Sequence, residues 1–385
     1  MWDANLEDFA EKDSVHDDVL YIKSDCVVED EDSLQDKPLD MTYVCWNKDF
    51  NAELVSLAVH PSFPAVAHVA VGSCDDTCKI VNFATQDESN DTMETVLGPF
   101  EETVSCCSYS PDGSYLTLGL MDGNFQVYAC FSGKYEHTIT VNGPPDGIEW
   151  ISWSHDSSAV MFGGSGHTAF IWSPQTHTTA CITTTDTSGC GKFCMYNSNS
   201  FAVVGCNDGH LNAVRYANGS VGSLTDVALS SEMVTSIDCH DNVQLAIVGM
   251  YDGGLFFVEL SKFQVVASFS DHSDTVESVQ FCKGASSTMA MSCGSDGTVI
   301  MWDCERMIKL SVASLSDNLT RMVWVPSKLM VAVGGVNGDL YTVKNGSVVK
   351  QNRPHKSTVL DLALLPCDDN EVALISVSED GAMVM

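Results

Sequence analysis

Positive charge is what this sequence has least of: 18 Lys and Arg stand against 52 Asp and Glu in 385 residues, a formal net charge of −34. Binding nucleic acid requires a basic footprint, so no direct nucleic-acid partner is expected, and an anionic membrane surface is disfavoured on the same ground. Long apolar runs are also missing. No stretch approaches the roughly 18 residues of a membrane span. The segment MWDANLEDFAEKDS is acidic, has no apolar core and does not read as a signal peptide. Cys-x-x-Cys pairs are absent. Cys190 and Cys194 are four apart, but no matching pair nearby completes a zinc site, so neither metal nor cofactor is expected. The 16 cysteines sit mostly within apolar runs, Cys106, Cys107, Cys239 and Cys282 among them. They read as free core residues of a cytoplasmic protein, with a nuclear pool also compatible. Asn-Gly-Ser at 218–220 and 345–347 matches a glycosylation acceptor but, without a secretory signal, reads as turns.

What the sequence does have is a repeat. SCGSDGTVIMWD at 292–303 returns in worn copies whose turn residues fall at Asp75, Asp122, Gly166, Asp208, Asp252, Asp296, Asn337 and Asp380. The intervals run from 41 to 47 residues. Asp-Gly or Asn-Gly between apolar runs makes a tight hairpin, because these residues tolerate positive φ. The flanking runs are rich in Val, Ile, Phe and Ala and suit half-buried or buried strands. A lone four-stranded sheet has two apolar faces. Radial stacking buries both, and this period with a terminal Trp-Asp points to propeller blades. The expectation is an all-β, eight-bladed propeller over 41–385, preceded by a disordered acidic tail over 1–40.

In the best-preserved unit, His272, Ser292, Asp296 and Trp302 have the spacing of the hydrogen-bonded tetrad of the WD-repeat family, which the unit resembles. The resemblance implies that these four lock one blade. A His-Ser-Asp trio also serves hydrolases, but this setting makes it structural, and no other constellation suggests catalysis. The protein is therefore not expected to be an enzyme. Trp172 keeps the tryptophan position in the third unit, and Val81, Tyr128, Val214, Val258 and Val343 fill it elsewhere. The family closes its ring with an N-terminal strand. Here MTYVCWN at 41–47 is expected to pair with the strand ending at Met385.

Charge is distributed with a pattern. The segment 1–40 holds 14 acidic and 3 basic residues. In the repeats, Glu102, Asp146, Glu232, Asp274 and Asp317 each stand two residues before the first apolar residue of a first strand: Val104, Ile148, Val234, Val276 and Leu319. Glu53, Glu101, Glu149, Asp271 and Glu277 crowd nearby. Two readings stand. Either the carboxylates are scattered for solubility, as any very acidic protein scatters them, or they form an acidic ring that captures a basic protein partner. Trp150 likewise stands as either an aromatic surface for an Arg contact or a core residue.

GIEWISWS at 147–154, CGKF at 190–193, AVVGCNDG at 202–209 and LAIVGMYDGGL at 245–255 are similar to the angio-associated migratory cell protein family. Its fungal relatives act as dedicated chaperones that capture the basic N-terminal segment of a newly made large-subunit ribosomal protein. Its animal members are linked to cell migration, angiogenesis and heparin binding. The resemblance implies a monomeric binding protein for a basic client. Its second implication is a scaffold in migration signalling. Direct heparin binding fits this acidic chain badly.

Overall fold

The computed structural model describes residues 47–83, 94–196, 199–217, 220–240, 242–285, 288–366 and 372–385. The acidic segment 1–40 lies outside them. The described residues form eight antiparallel sheets and contain no helix. The inner strands are Leu54–Val59, Val104–Tyr109, Ile148–Trp153, Ser188–Tyr196, Val234–Cys239, Val276–Phe281, Leu319–Val325 and Val359–Pro366. Each touches the inner strands of both neighbours, and Val359–Pro366 touches Leu54–Val59, so the ring of eight blades is closed.

Burial falls from axis to rim. The second strands His68–Ser73, Leu245–Met250 and Met330–Gly335 are buried at every residue, because blades press on both of their faces. Outer strands such as Gln264–Phe269 and Ile308–Ser314 are mostly exposed. The cores lie between blades. Phe125 of the second blade stacks on Phe162 of the third with centroids 4.0 Å apart, both fully buried. Each such side chain contributes about 1.5–3 kcal/mol of burial free energy.

Inner strands have one edge without a strand neighbour, and its N–H groups need partners. Side chains from the adjacent blade supply several. Phe193 N donates to Ser152 Oγ at 2.9 Å, Phe281 N to Asp238 Oδ2 at 2.8 Å, and Trp324 N to Gln280 Oε1 at 2.8 Å. Leu57 N donates to Asp361 Oδ2 at 2.9 Å across the closure.

The last blade takes its outer strand from Asn47–Asp49, which pairs with Ala382–Val384. The expected closing strand 41–47 overlaps it only at Asn47, and residues 41–46 lie outside the described residues. Phe50 sets the observed register: it is buried in the core of the last and first blades, and its N–H donates to Gly381 O at 2.7 Å.

Two further points depart from the sequence reading. Cys194 and Cys239, on the inner strands of adjacent blades, are joined as a disulfide with Cα atoms 5.6 Å apart. Cys239 is therefore not the free thiol expected, since stacking brings together residues that spacing does not relate. The outer strand of the fourth blade is split, with Ser220–Val221 and Thr225–Ala228 both pairing with His210–Ala217. Asn345 and Gly346 form a hairpin turn, both at positive φ, as type I′ geometry requires. The corresponding Asn218-Gly219 lies outside the described residues.

Candidate functional site

One face of the ring carries the Asp-Gly turns and the loops leading into the inner strands. Local chemistry builds it. The turn glycines Gly123, Gly209, Gly253, Gly297, Gly338 and Gly381 all have φ between 73° and 84°, a region closed to most side chains. Turn aspartates cap the following strand: Asp122 Oδ1 accepts Asn124 N at 2.8 Å and Asp296 Oδ1 accepts Thr298 N at 2.9 Å. In seven of the blades the residue after the second strand then donates to the residue just before an inner strand. Met121 N bonds Thr103 O at 3.0 Å, Tyr251 N bonds Met233 O at 2.9 Å, and Ser295 N bonds Thr275 O at 2.9 Å. In the third blade Gly166 replaces the turn aspartate, and the turn closes through Gly166 N to Gly164 O at 2.7 Å.

Every inner strand has a register shift after its first paired residue, at Leu54, Val104, Ile148, Ser188, Val234, Val276, Leu319 and Val359. These residues define equivalent positions. Glu102, Asp146, Glu232 and Asp274 stand two residues before them on the turn face, all exposed. They are spread one to a blade. Asp317 shares the position but not the exposure. It is 5 % exposed, accepts Asn337 N at 3.1 Å and Asn337 Nδ2 at 2.7 Å, and fills the space beside Gly335. Its carboxylate holds a turn and is not offered to a partner, which corrects its place in the expected ring. Glu149 is the bulged residue of its strand, exposed, and accepts Ser165 Oγ at 2.5 Å. Glu277 does the same with Ser295 at 2.7 Å.

The structure adds a member that the sequence reading passed over. Asp186 precedes Ser188 by the same two residues, is half-buried, and lies 3.8 Å from His167 Nδ1. A serine in place of the apolar marker concealed it.

Cations on this face are few and mostly occupied. Arg353 grips Asp339 through Nε at 3.2 Å and Nη2 at 2.6 Å, Lys309 pairs with Asp271, and Lys79 pairs with Asp75. Among the described residues, no lysine or arginine pairs with Glu102, Asp146, Glu232 or Asp274. The opposite face is mixed. In its described loops Asp112, Asp156 and Glu305 stand with Lys262, Lys283, Arg306 and Lys328. A cavity of about 280 Å³ lies at that end, lined by Ser108, Ser152, Lys192 and Lys283, and Lys192 pairs with Asp238 at 3.2 Å. The described residues hold no cluster of three metal-ligating side chains, and no helix long and apolar enough to cross a membrane.

The four tetrad residues form one hydrogen-bonded chain. Trp302 Nε1 donates to Ser292 Oγ at 2.9 Å, Ser292 Oγ meets His272 Nε2 at 2.7 Å, and His272 Nδ1 faces Asp296 at 3.2 Å. Burial pushes the His272 imidazole down, outweighing the pull of Asp296. Burial pushes Asp296 up, but the Ser273 and Thr298 N–H donors, the Thr298 hydroxyl and His272 together bring it below its ordinary value. A second lock exists in the last blade. His355 Nε2 meets Ser376 Oγ at 2.7 Å, and His355 Nδ1 lies 3.4 Å from Asp380. Its signal was present: His355 precedes Val359 by the four residues that separate His272 from Val276.

Trp150 belongs to the core. It is 8 % exposed and donates from Nε1 to Ser188 O at 2.8 Å. Its ring lies across Gly163 and Gly191, where an added Cβ would come within 2.4 and 2.3 Å of it. That packing explains GIEWISWS and the glycine of CGKF together, and removes Trp150 as a surface for arginine.

The WD domain, G-beta repeat family (WD40) matches residues 92–128 and 263–303. Methylosome protein WDR77 of Xenopus laevis is 26% identical over 155 residues, 39% of this chain and 46% of that protein. The WD repeat-containing protein 91 homolog of Dictyostelium discoideum is 22% identical over 57% of this chain and 29% of its own length. The chain thus spans less than half the length of these relatives. Among solved structures, Sqt1 of Saccharomyces cerevisiae superposes with a TM-score of 0.75 at 15% identity, covering 88% of this chain and 96% of that one. Chaetomium thermophilum Sqt1 bound to the N-terminus of the ribosomal protein L10 gives 0.69 at 16% identity, covering 86% and 96%. Two of its repeats thus match the WD40 repeat, and its eight closed blades have the fold of a β-propeller.

Proposed function

We propose that the turn face captures a basic segment of another protein, and that the client is a newly made large-subunit ribosomal protein held as by a dedicated chaperone. The carrying observation is the exposed set Glu102, Asp146, Glu232 and Asp274, paired with no lysine or arginine among the described residues, on one face of a ring whose opposite face is mixed in charge. Like charges gathered on a face raise the local potential, speed the approach of a cation and make binding weaken with salt. The fold shared with a Sqt1 that is bound to a ribosomal protein's N-terminus supports the choice of client. The reading needs no catalytic group, no cofactor and one copy of the chain, and a client met as it is made places the event in the cytoplasm.

The test is affinity capture of the tagged full chain from cytosol, washed at low and then high salt. A dominant basic ribosomal protein released by salt, and lost when Glu102, Asp146 and Glu232 are all changed to Lys, supports the proposal. A diverse, salt-resistant set of signalling proteins overturns it in favour of a migration-type scaffold.

A further inference from the structure

Tyr251 occupies the position just after the second strand of the fifth blade, where other blades carry Met121, Asn207, Ser295 or Glu379. Its backbone is held from both sides. The N–H donates to Met233 O at 2.9 Å, and the carbonyl accepts Thr275 Oγ1 at 3.0 Å. Met233 follows Glu232, and Thr275 follows Asp274. The two hydrogen bonds therefore seat Tyr251 between two exposed ring carboxylates that pair with no lysine or arginine among the described residues. The side chain is 55 % exposed. A large aromatic is thus fixed at its backbone, with more than half of its surface in water, between the backbone positions of two carboxylates.

We propose that Tyr251, Glu232 and Asp274 form a subsite for one arginine of the client. The guanidinium plane stacks on the phenol ring while its N–H donors meet the carboxylates on either side. Arginine suits the site better than lysine: it is planar, carries five donors in a fixed fork and is more weakly hydrated than an ammonium. The held backbone lowers the ordering cost of binding. The inference rests on the proposed capture of a basic segment and names what one position of the ring reads.

The experiment compares two synthetic basic peptides, identical except that every Arg of one is Lys in the other. Fluorescence anisotropy measures their binding to the full chain and to the Tyr251→Ala and Tyr251→Phe variants. The wild-type chain should prefer the Arg peptide by about two- to fivefold, the range of an exposed cation–π contact. Tyr251→Ala should erase that preference by weakening the Arg peptide more than the Lys peptide, and Tyr251→Phe should keep it because the ring face is retained. Equal affinities in the wild type, or a preference that survives Tyr251→Ala, overturns the subsite and leaves capture standing. Failure of both peptides to bind the wild type overturns capture and subsite together. Unchanged melting of the Tyr251→Ala variant shows that any loss comes from the surface.

Discussion

The indole N–H of Trp302 donates to Ser292 Oγ at 2.9 Å, whereas the equivalent indole of Trp172 has no partner because Phe162 stands where Ser292 would. The two tryptophans read alike in sequence and are both fully buried. They differ in what they hold. Trp302→Phe breaks the chain to His272 and strands buried polar groups, a loss of about 1–3 kcal/mol beyond the change in volume. Trp172→Phe removes a donor that was already unsatisfied. The urea midpoint should fall more for Trp302→Phe than for Trp172→Phe, and equal shifts would deny the tetrad its stabilising role.

Acid should weaken the ring through both locks. His272 and His355 are held below their ordinary values by burial, so the unfolded chain takes up their protons first. Asp296 and Asp380 also end below theirs, since their N–H donors and the neighbouring imidazoles outweigh burial. Every one of these shifts has the same sign. Stability is present above the ordinary histidine value and falls as pH drops through the acid range. Denaturation midpoints at pH 7 and pH 5 should show the decline, and a double His272→Gln, His355→Gln variant should show less of it.

Asp317 and Glu232 should separate structure from recognition. Asp317→Ala leaves the Asn337 N–H and side-chain amide without their acceptor and should cost about 1–3 kcal/mol. Glu232→Gln touches an exposed side chain and should leave the stability within about 0.5 kcal/mol of the wild type while weakening a basic peptide. Calorimetry with peptide titration on both variants reads the two effects separately. A stable Asp317→Ala would return that residue to the ring.

The Cys194–Cys239 bond spans a sequence separation of 45. Closing a loop of that length removes entropy from the unfolded chain worth up to about 4 kcal/mol. Under oxidising conditions a Cys194→Ser, Cys239→Ser variant should unfold at lower denaturant than the parent, and reduction should bring the parent toward the variant. Peptide mapping without reductant should recover the linked pair. Two free thiols there would show the bond does not form in solution.

Much of the ring was legible because its signals are local. The eight turns follow from residues that tolerate positive φ, and Gly123, Gly209, Gly253, Gly297, Gly338 and Gly381 adopt it. The period near 44, Trp302 and His272 gave one lock. The second, at His355, was legible from its spacing to Val359 but overlooked. The acids Glu102, Asp146, Glu232 and Asp274 were aligned on the apolar residue that follows, which is why Asp186, before Ser188, escaped.

What the sequence by itself determined is the repeated unit, its turns and the side of the ring on which the carboxylates lie, because each follows from a few consecutive residues. What only the tertiary structure decided is how units meet. Stacking buried Asp317 against Gly335, laid Trp150 across Gly163 and Gly191, and brought Cys194 to Cys239. It set the closing register by Phe50 and left Tyr251 standing between Glu232 and Asp274. Those outcomes depend on the distance between neighbouring blades, which no single unit encodes.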